Sequence, residues 1–186
     1  MNRAIIITAS LLSVPLLAAC SKSEQSSTTQ ANQQSAASST WLLVSAPSND
    51  RAVADVKSNA TDGEQVTVRG YIGGRLEPIT HDSPVFVITD SSIPDCNRLH
   101  PGHCDTPWDY CCETPESLAA NTATVQLVDA SGAPLNVDPI ASGLDPLDEI
   151  IVVGTVAPRP DKSILTILAT GVHILPPQNP ADSHDH

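Results

Sequence analysis

Four of the five cysteines of this 186-residue chain fall in one stretch. Asp95 to Glu113 reads D-C-N-R-L-H-P-G-H-C-D-T-P-W-D-Y-C-C-E and holds Cys96, Cys104, Cys111 and Cys112 at the spacing C-x7-C-x6-C-C. His100 and His103 stand between the cysteines, and Asp95, Asp105, Asp109 and Glu113 crowd around them. Three chemistries could use this set. Two disulfides would shrink the unfolded ensemble of a long loop and so staple it. Thiolates with imidazoles suit zinc, copper or an iron–sulfur cluster, although the C-x2–4-C knuckle of many zinc sites is missing. Thiol exchange needs a reactive thiolate in a C-x-x-C or similar geometry, which is absent, and neighbouring acids raise a thiol pKa.

The N-terminus bears on the choice. Met1 to Cys20 reads M-N-R-A-I-I-I-T-A-S-L-L-S-V-P-L-L-A-A-C. One positive charge, an apolar run and small residues before a cysteine make signal-peptide anatomy, too short for a comfortable membrane span. Leu17-Ala18-Ala19-Cys20 resembles the bacterial lipobox. That resemblance implies a signal peptide over 1–19, cleavage before Cys20, and lipidation of its thiol and new amine. Several acyl chains anchor durably where one binds only marginally. Ser21 stands where an aspartate would resemble an inner-membrane retention signal, so the expected place is the outer membrane, facing the periplasm. Such a compartment is oxidising and favours two disulfides. Pairing Cys111 with Cys112 would strain an eight-membered ring, so the expected bridges join each of them to Cys96 or Cys104. On this reading no cofactor is expected, and zinc, copper or an iron–sulfur cluster is the alternative. Iron–sulfur clusters seldom survive export unfolded.

Residues 20–40 are rich in Ser, Thr and Gln and lack the apolar area to offset ordering, so a disordered tether is expected, spanning roughly 25 Å root-mean-square. A second disordered tail is expected over 177–186. Its His184 and His186 read as a solvated terminus. The formal charge is −12, or −13 once Arg3 leaves with the leader. That charge argues against sequence-independent nucleic-acid binding and disfavours adhesion to anionic headgroups, both of which need clustered cations. No G-x-S-x-G elbow, Walker loop or dinucleotide fingerprint is present. His81 next to Asp82 is a weak acid–base pair that reads as solvated loop, and Gly73-Gly74 reads as a turn.

The elements carrying the cysteine stretch are mostly strands. Ser48 or Asn49 can cap a short helix through about Asn59, with Val53, Val56 and Ala60 on one stripe. Asp62-Gly63 makes a turn. Strand patterns then run over Gln65 to Ile72, Pro84 to Thr89, Ala123 to Val128, Ile150 to Val156 and Ser163 to Leu175. Thr114-Pro115-Glu116 reads as an N-cap followed by proline at the first helical position, opening a helix through Ala120. Two strands share a pattern. Glu64 to Ile72 and Asp148 to Val156 each have an acidic start, alternating branched residues and a late glycine, Gly70 or Gly154. Glycine inside a strand marks a bulge or bend, which lets a small barrel close.

This pattern resembles the first and fourth strands of the OB-fold, a five-stranded Greek-key barrel. The expected domain is all-β: an OB-like barrel over 41–176 with a short N-terminal helix. A cysteine-rich insertion over 90–122 separates strands two and three, normally a hairpin. The whole chain is similar to secreted OB-fold lipoproteins carrying a P-W-D-Y-C-C-E loop, a family without an established activity. OB-folds bind beside the loops joining strands one to two and four to five. Arg69 and Arg75 map to the first loop, and Arg159 and Lys162 to the second, which points to an anionic ligand. Trp108 and Tyr110 could form a flat contact surface, or cover the disulfides. The expected function is a non-enzymatic binding module on a tether, its partner an envelope protein or an anionic ligand. Metal handling by the cysteine and histidine loop is the alternative.

Overall fold

The computed structural model describes residues 41–177. The expected signal peptide, the expected lipidation site Cys20, the expected tether and all of the expected tail beyond residue 177 lie outside the described residues. A two-residue strand, β1 (Arg51–Ala52), leads into helix α1 (Val53–Asn59), then β2 (Gln65–Ile72) and β3 (Val85–Thr89). The insertion carries α2 (Cys96–Leu99), a 3-10 turn (Pro107–Asp109) and α3 (Pro115–Asn121). Strands β4 (Thr122–Leu127), β5 (Glu149–Val156) and β6 (Thr166–Ile174) complete the chain. No described helix is long and apolar enough to cross a membrane.

The strands form a closed five-stranded barrel, β2-β3-β4-β6-β5, with β5 returning to β2. Closure pairs Gln65 with Thr155 through to Tyr71 with Glu149, antiparallel. Only β4 and β6 run parallel within the barrel. Period-two alternation explains the packing: Val66, Val68 and Ile72 of β2 and Ala123, Val125 and Leu127 of β4 all turn inward. They meet Phe86, Ile88, Ile150, Val152, Ile167 and Val172 in one core, to which α1 adds Val53 and Val56. Each of the valine, leucine, isoleucine and phenylalanine side chains contributes about 1.5–3 kcal/mol by leaving water. The glycines of the shared pattern mark close approaches. A Cβ on Gly70 would lie 2.7 Å from the Thr89 carbonyl oxygen. The β5–β6 register shifts between Val153 and Gly154, a bulge at the expected place.

Two boundaries differ from expectation. The helix begins at Val53, not beside Asn49, because Arg51 and Ala52 pair in parallel with Val68 and Arg69, and Asn49 takes a left-handed φ of 62°. The last strand begins at Thr166, not Ser163, because Asp161 folds the preceding residues into a turn, accepting from the backbone N–H groups of Ser163 and Ile164.

The insertion leaves and re-enters the barrel at one point, since Thr89 and Thr122 are direct neighbours across β3 and β4. Four hydrogen bonds close this neck. Asp90 N–H donates to the Asn121 carbonyl at 2.8 Å. The buried Asp90 carboxylate accepts from Ala54 N–H and Ser92 N–H. Lys57 Nζ donates to the Thr122 carbonyl.

Candidate metal centre

Local hydrogen bonds bend the insertion until its cysteines meet. Asp95 caps α2, its side chain accepting from Asn97 N–H and Arg98 N–H. That cap sets Cys96 at the first helical position, where it is fully buried. Arg98 pairs with Asp95 at 3.1 Å and lies 5.6 Å from the centre of the Tyr71 ring, tying α2 to β2. Further on, Thr106 Oγ1 donates to one Asp109 oxygen while the other accepts from Cys111 N–H at 2.8 Å. Tyr110 between them takes a left-handed φ of 56°, which reverses the chain and brings Cys111 and Cys112 back over Cys96. The expected helix follows, Thr114 capping it through Ser117 N–H.

The barrel holds this bend through Gly73 and Gly74, just beyond β2. Gly74 N–H donates to the Trp108 carbonyl at 2.8 Å, and Trp108 Nε1 donates to the Leu76 carbonyl at 3.0 Å. The Tyr110 ring packs on Gly73, where a Cβ would lie 2.7 Å from Tyr110 Cε2. The glycine pair is therefore the insertion's docking point as well as a turn. Tyr110 is 1% exposed, and its hydroxyl is buried without a partner. It anchors the insertion and offers no contact surface; Trp108 remains half-exposed.

The four sulfurs of Cys96, Cys104, Cys111 and Cys112 all lie within 4.8 Å of one another. Cys111 Sγ is 3.5 Å from both Cys96 Sγ and Cys104 Sγ, and all four thiols are free in this structure. A tetrahedron with metal–sulfur bonds of about 2.3 Å has edges of about 3.8 Å, close to these separations. An iron–sulfur cluster spreads its cysteines over several irons and needs more room than the group leaves. Cys104 is half-buried and Cys111 and Cys112 are exposed, so the group opens to solvent on one side.

Crowding also polarises the thiols. Burial pushes the Cys96 thiol up, but the N–H of Cys112 and the thiols of Cys111, Cys112 and Cys104 outweigh it and hold Cys96 below its usual value. Contact with Cys96 and Cys104 pushes Cys111 well up, and contact with Cys96 raises Cys112. Ionising one sulfur disfavours ionising its neighbours, so a full set of thiolates calls for a cation among them.

The other candidates do not converge here. His100 and His103 are exposed, their ring centres 6.0 Å apart, and neither belongs to the sulfur group. Asp95, Asp109 and Glu113 hold the loop, Glu113 by accepting from Ser117 Oγ. The four cations form no single site. Arg69 pairs with Glu149 at 2.8 Å. Arg159 directs its guanidinium to the carbonyls of Lys57, Ala60, Lys162 and Ile164, beside Lys162 in a recess that also includes Asp62. Arg75 lines a different cleft. His81 pairs across space with Asp138 at 2.8 Å, not with Asp82 beside it. Sequence reasoning missed Lys57, Asp90 and the role of Gly73-Gly74; a lysine and an aspartate beside apolar strands were the available signals. Comparison with protein-family models, with curated proteins and with solved structures finds no match to this chain.

Proposed function

We propose that this chain is a lipid-anchored envelope protein whose OB-like barrel carries a four-thiolate site for a single soft metal ion, zinc or copper(I). The observation that carries the reading is the convergence of four unbonded sulfurs within 4.8 Å on a loop tied to the barrel. Four sulfur ligands saturate a tetrahedral ion, and catalytic sites keep a position open. The function is thus holding or handing on metal, without catalysis. The exposed Cys111 and Cys112 give a competing ligand a way in. Sulfur ligands select soft ions over magnesium or calcium.

Support for an OB-like Greek key comes from the strand order, in which the third and fifth barrel strands pair in parallel while the first closes on the fourth. Support for the anchor comes from Leu17-Ala18-Ala19-Cys20, and the Ser-, Thr- and Gln-rich sequence after Cys20 has the composition of a tether.

The test is elemental analysis and thiol counting on protein taken from cells with thiols trapped at lysis. The expected result is one zinc or copper per chain, with four thiols that react only after chelation. Cys96→Ser and Cys112→Ser should each abolish stoichiometric metal, whereas a His100→Ala/His103→Ala double variant should keep it. Two closed disulfides and no metal would overturn the reading and restore a stapled loop.

A further inference from the structure

Lys57, at the last turn of α1, is only 8% exposed. A buried ammonium is ordinarily matched by a carboxylate. Lys57 forms no ion pair among the described residues, and its Nζ donates only to the Thr122 carbonyl at 2.7 Å. An ammonium has three donors, so the others lack a protein acceptor here. Burial holds the Lys57 pKa below its ordinary value, and the nearby Arg159 adds to the effect.

This lysine lines a cleft of about 270 Å³ between α3, β4 and the turn before β6. Arg75 lines it too, and likewise has no ion pair among the described residues. The chain has 21 acidic residues, yet none lines this cleft. Gly74 forms part of its wall, and a Cβ there would lie 2.7 Å from Thr89 Oγ1, a buried hydroxyl without a partner. Two cations without ion pairs, the buried Lys57 and the exposed Arg75, therefore line one small space in a chain of net charge −12.

We propose that this cleft binds a small oxyanion, a phosphate or carboxylate group seated between Lys57 Nζ and the Arg75 guanidinium. Both cations recognise such groups, Arg75 through its planar fork and Lys57 as a point charge. The volume falls just below the roughly 300–1,000 Å³ of small-molecule pockets, which fits a compact anion. The occupant would supply the counter-charge that Lys57 lacks. The site is separate from the sulfur group and does not depend on the metal reading.

The test is calorimetric titration of the purified protein at low ionic strength with inorganic phosphate and, separately, with citrate. The expected result is saturable one-to-one binding of at least one probe, with phosphate alone or citrate alone assigning the head group. Lys57→Met and Arg75→Gln should each weaken that binding about tenfold or more, as expected on losing a charge-assisted hydrogen bond. Lys162→Gln, in the neighbouring recess, should leave it unchanged. Arg75 contributes nothing to the core, so its variant tests the site even if Lys57→Met folds poorly. No saturable uptake of either probe, or equal affinity in wild type and Arg75→Gln, would overturn the proposal.

Discussion

Gly73→Ala is the sharpest perturbation of the way the insertion sits on the barrel. The added methyl would lie 2.7 Å from Tyr110 Cε2 and 2.9 Å from the Trp108 carbonyl oxygen. Neither atom retreats easily. The Tyr110 ring is 1% exposed and hemmed in, and the Trp108 carbonyl is held by Gly74 N–H. Gly73 does not have a positive φ, so the cost is steric alone. Overpacking of this kind typically costs about 1–3 kcal/mol. If the strain is relieved by lifting the insertion, the same energy appears as about a 5- to 150-fold loss of metal affinity. Gly132→Ala is the control: φ is +85° and nothing lies within 4 Å, so it carries backbone strain of about 1 kcal/mol and no effect on metal. Urea unfolding and competition with a chromophoric chelator measure the two quantities. Unchanged stability and metal affinity in Gly73→Ala would show that the contact with Tyr110 does not position the sulfurs.

Other expectations follow from the same contacts. Tyr110→Phe removes a buried hydroxyl that has no partner, so thermal stability should hold or rise by up to about 1 kcal/mol, and a loss above that would reveal a hidden acceptor. The His81–Asp138 pair should give a pH-dependent increment. Hydrogen bonding and charge from Asp138 raise the His81 pKa, so its contribution is complete below the unfolded value, about 6.5, and is lost as pH rises through the folded one. Asp138 is held low by Ala141 N–H and His81, so its own contribution fades as pH falls through the depressed pKa. The melting-temperature gap between wild type and His81→Gln should therefore be widest near about pH 5–6 and close on the alkaline side, with a flat gap contradicting the pairing. On the proposed metal reading, acid should release the ion, because four thiolates must remain deprotonated to hold it, and a metal content indifferent to pH would contradict thiolate ligation.

The barrel strands were legible because Val66, Val68 and Ile72, like Ala123, Val125 and Leu127, alternate at the period a half-buried strand demands. The insertion was legible as a break between Thr89 and Thr122, and the cap of its second helix as Thr114-Pro115. What lay beyond reach was long-range. C-x7-C-x6-C-C shows no ligand knuckle, since the sulfurs converge only after Asp95 and Asp109 fold the chain between them. Gly73-Gly74 is indistinguishable from any turn until Tyr110 packs against it. Arg69 and Arg159 looked available because nothing local marks Glu149, or the carbonyls at the end of α1, as their partners. Tyr110 looked like a surface aromatic because its burial depends on a residue 37 positions earlier.

The single neck of the insertion bears on the order in which the molecule assembles. The sulfurs brought closest are separated by 7 and 15 positions, whereas barrel closure brings together residues such as Gln65 and Thr155, 90 positions apart. Short loops close in tens to hundreds of nanoseconds, and non-local strand pairing is far slower. The thiols of a newly emerged chain therefore meet one another long before β2 meets β5. An ion captured at that stage would preform the bend, and docking on Gly73 would follow as the barrel shuts. An oxidant arriving first would cross-link the same sulfurs within a still-open chain. Which of the two encounters comes first is a kinetic race, decided during biogenesis by the relative supply of metal and oxidant.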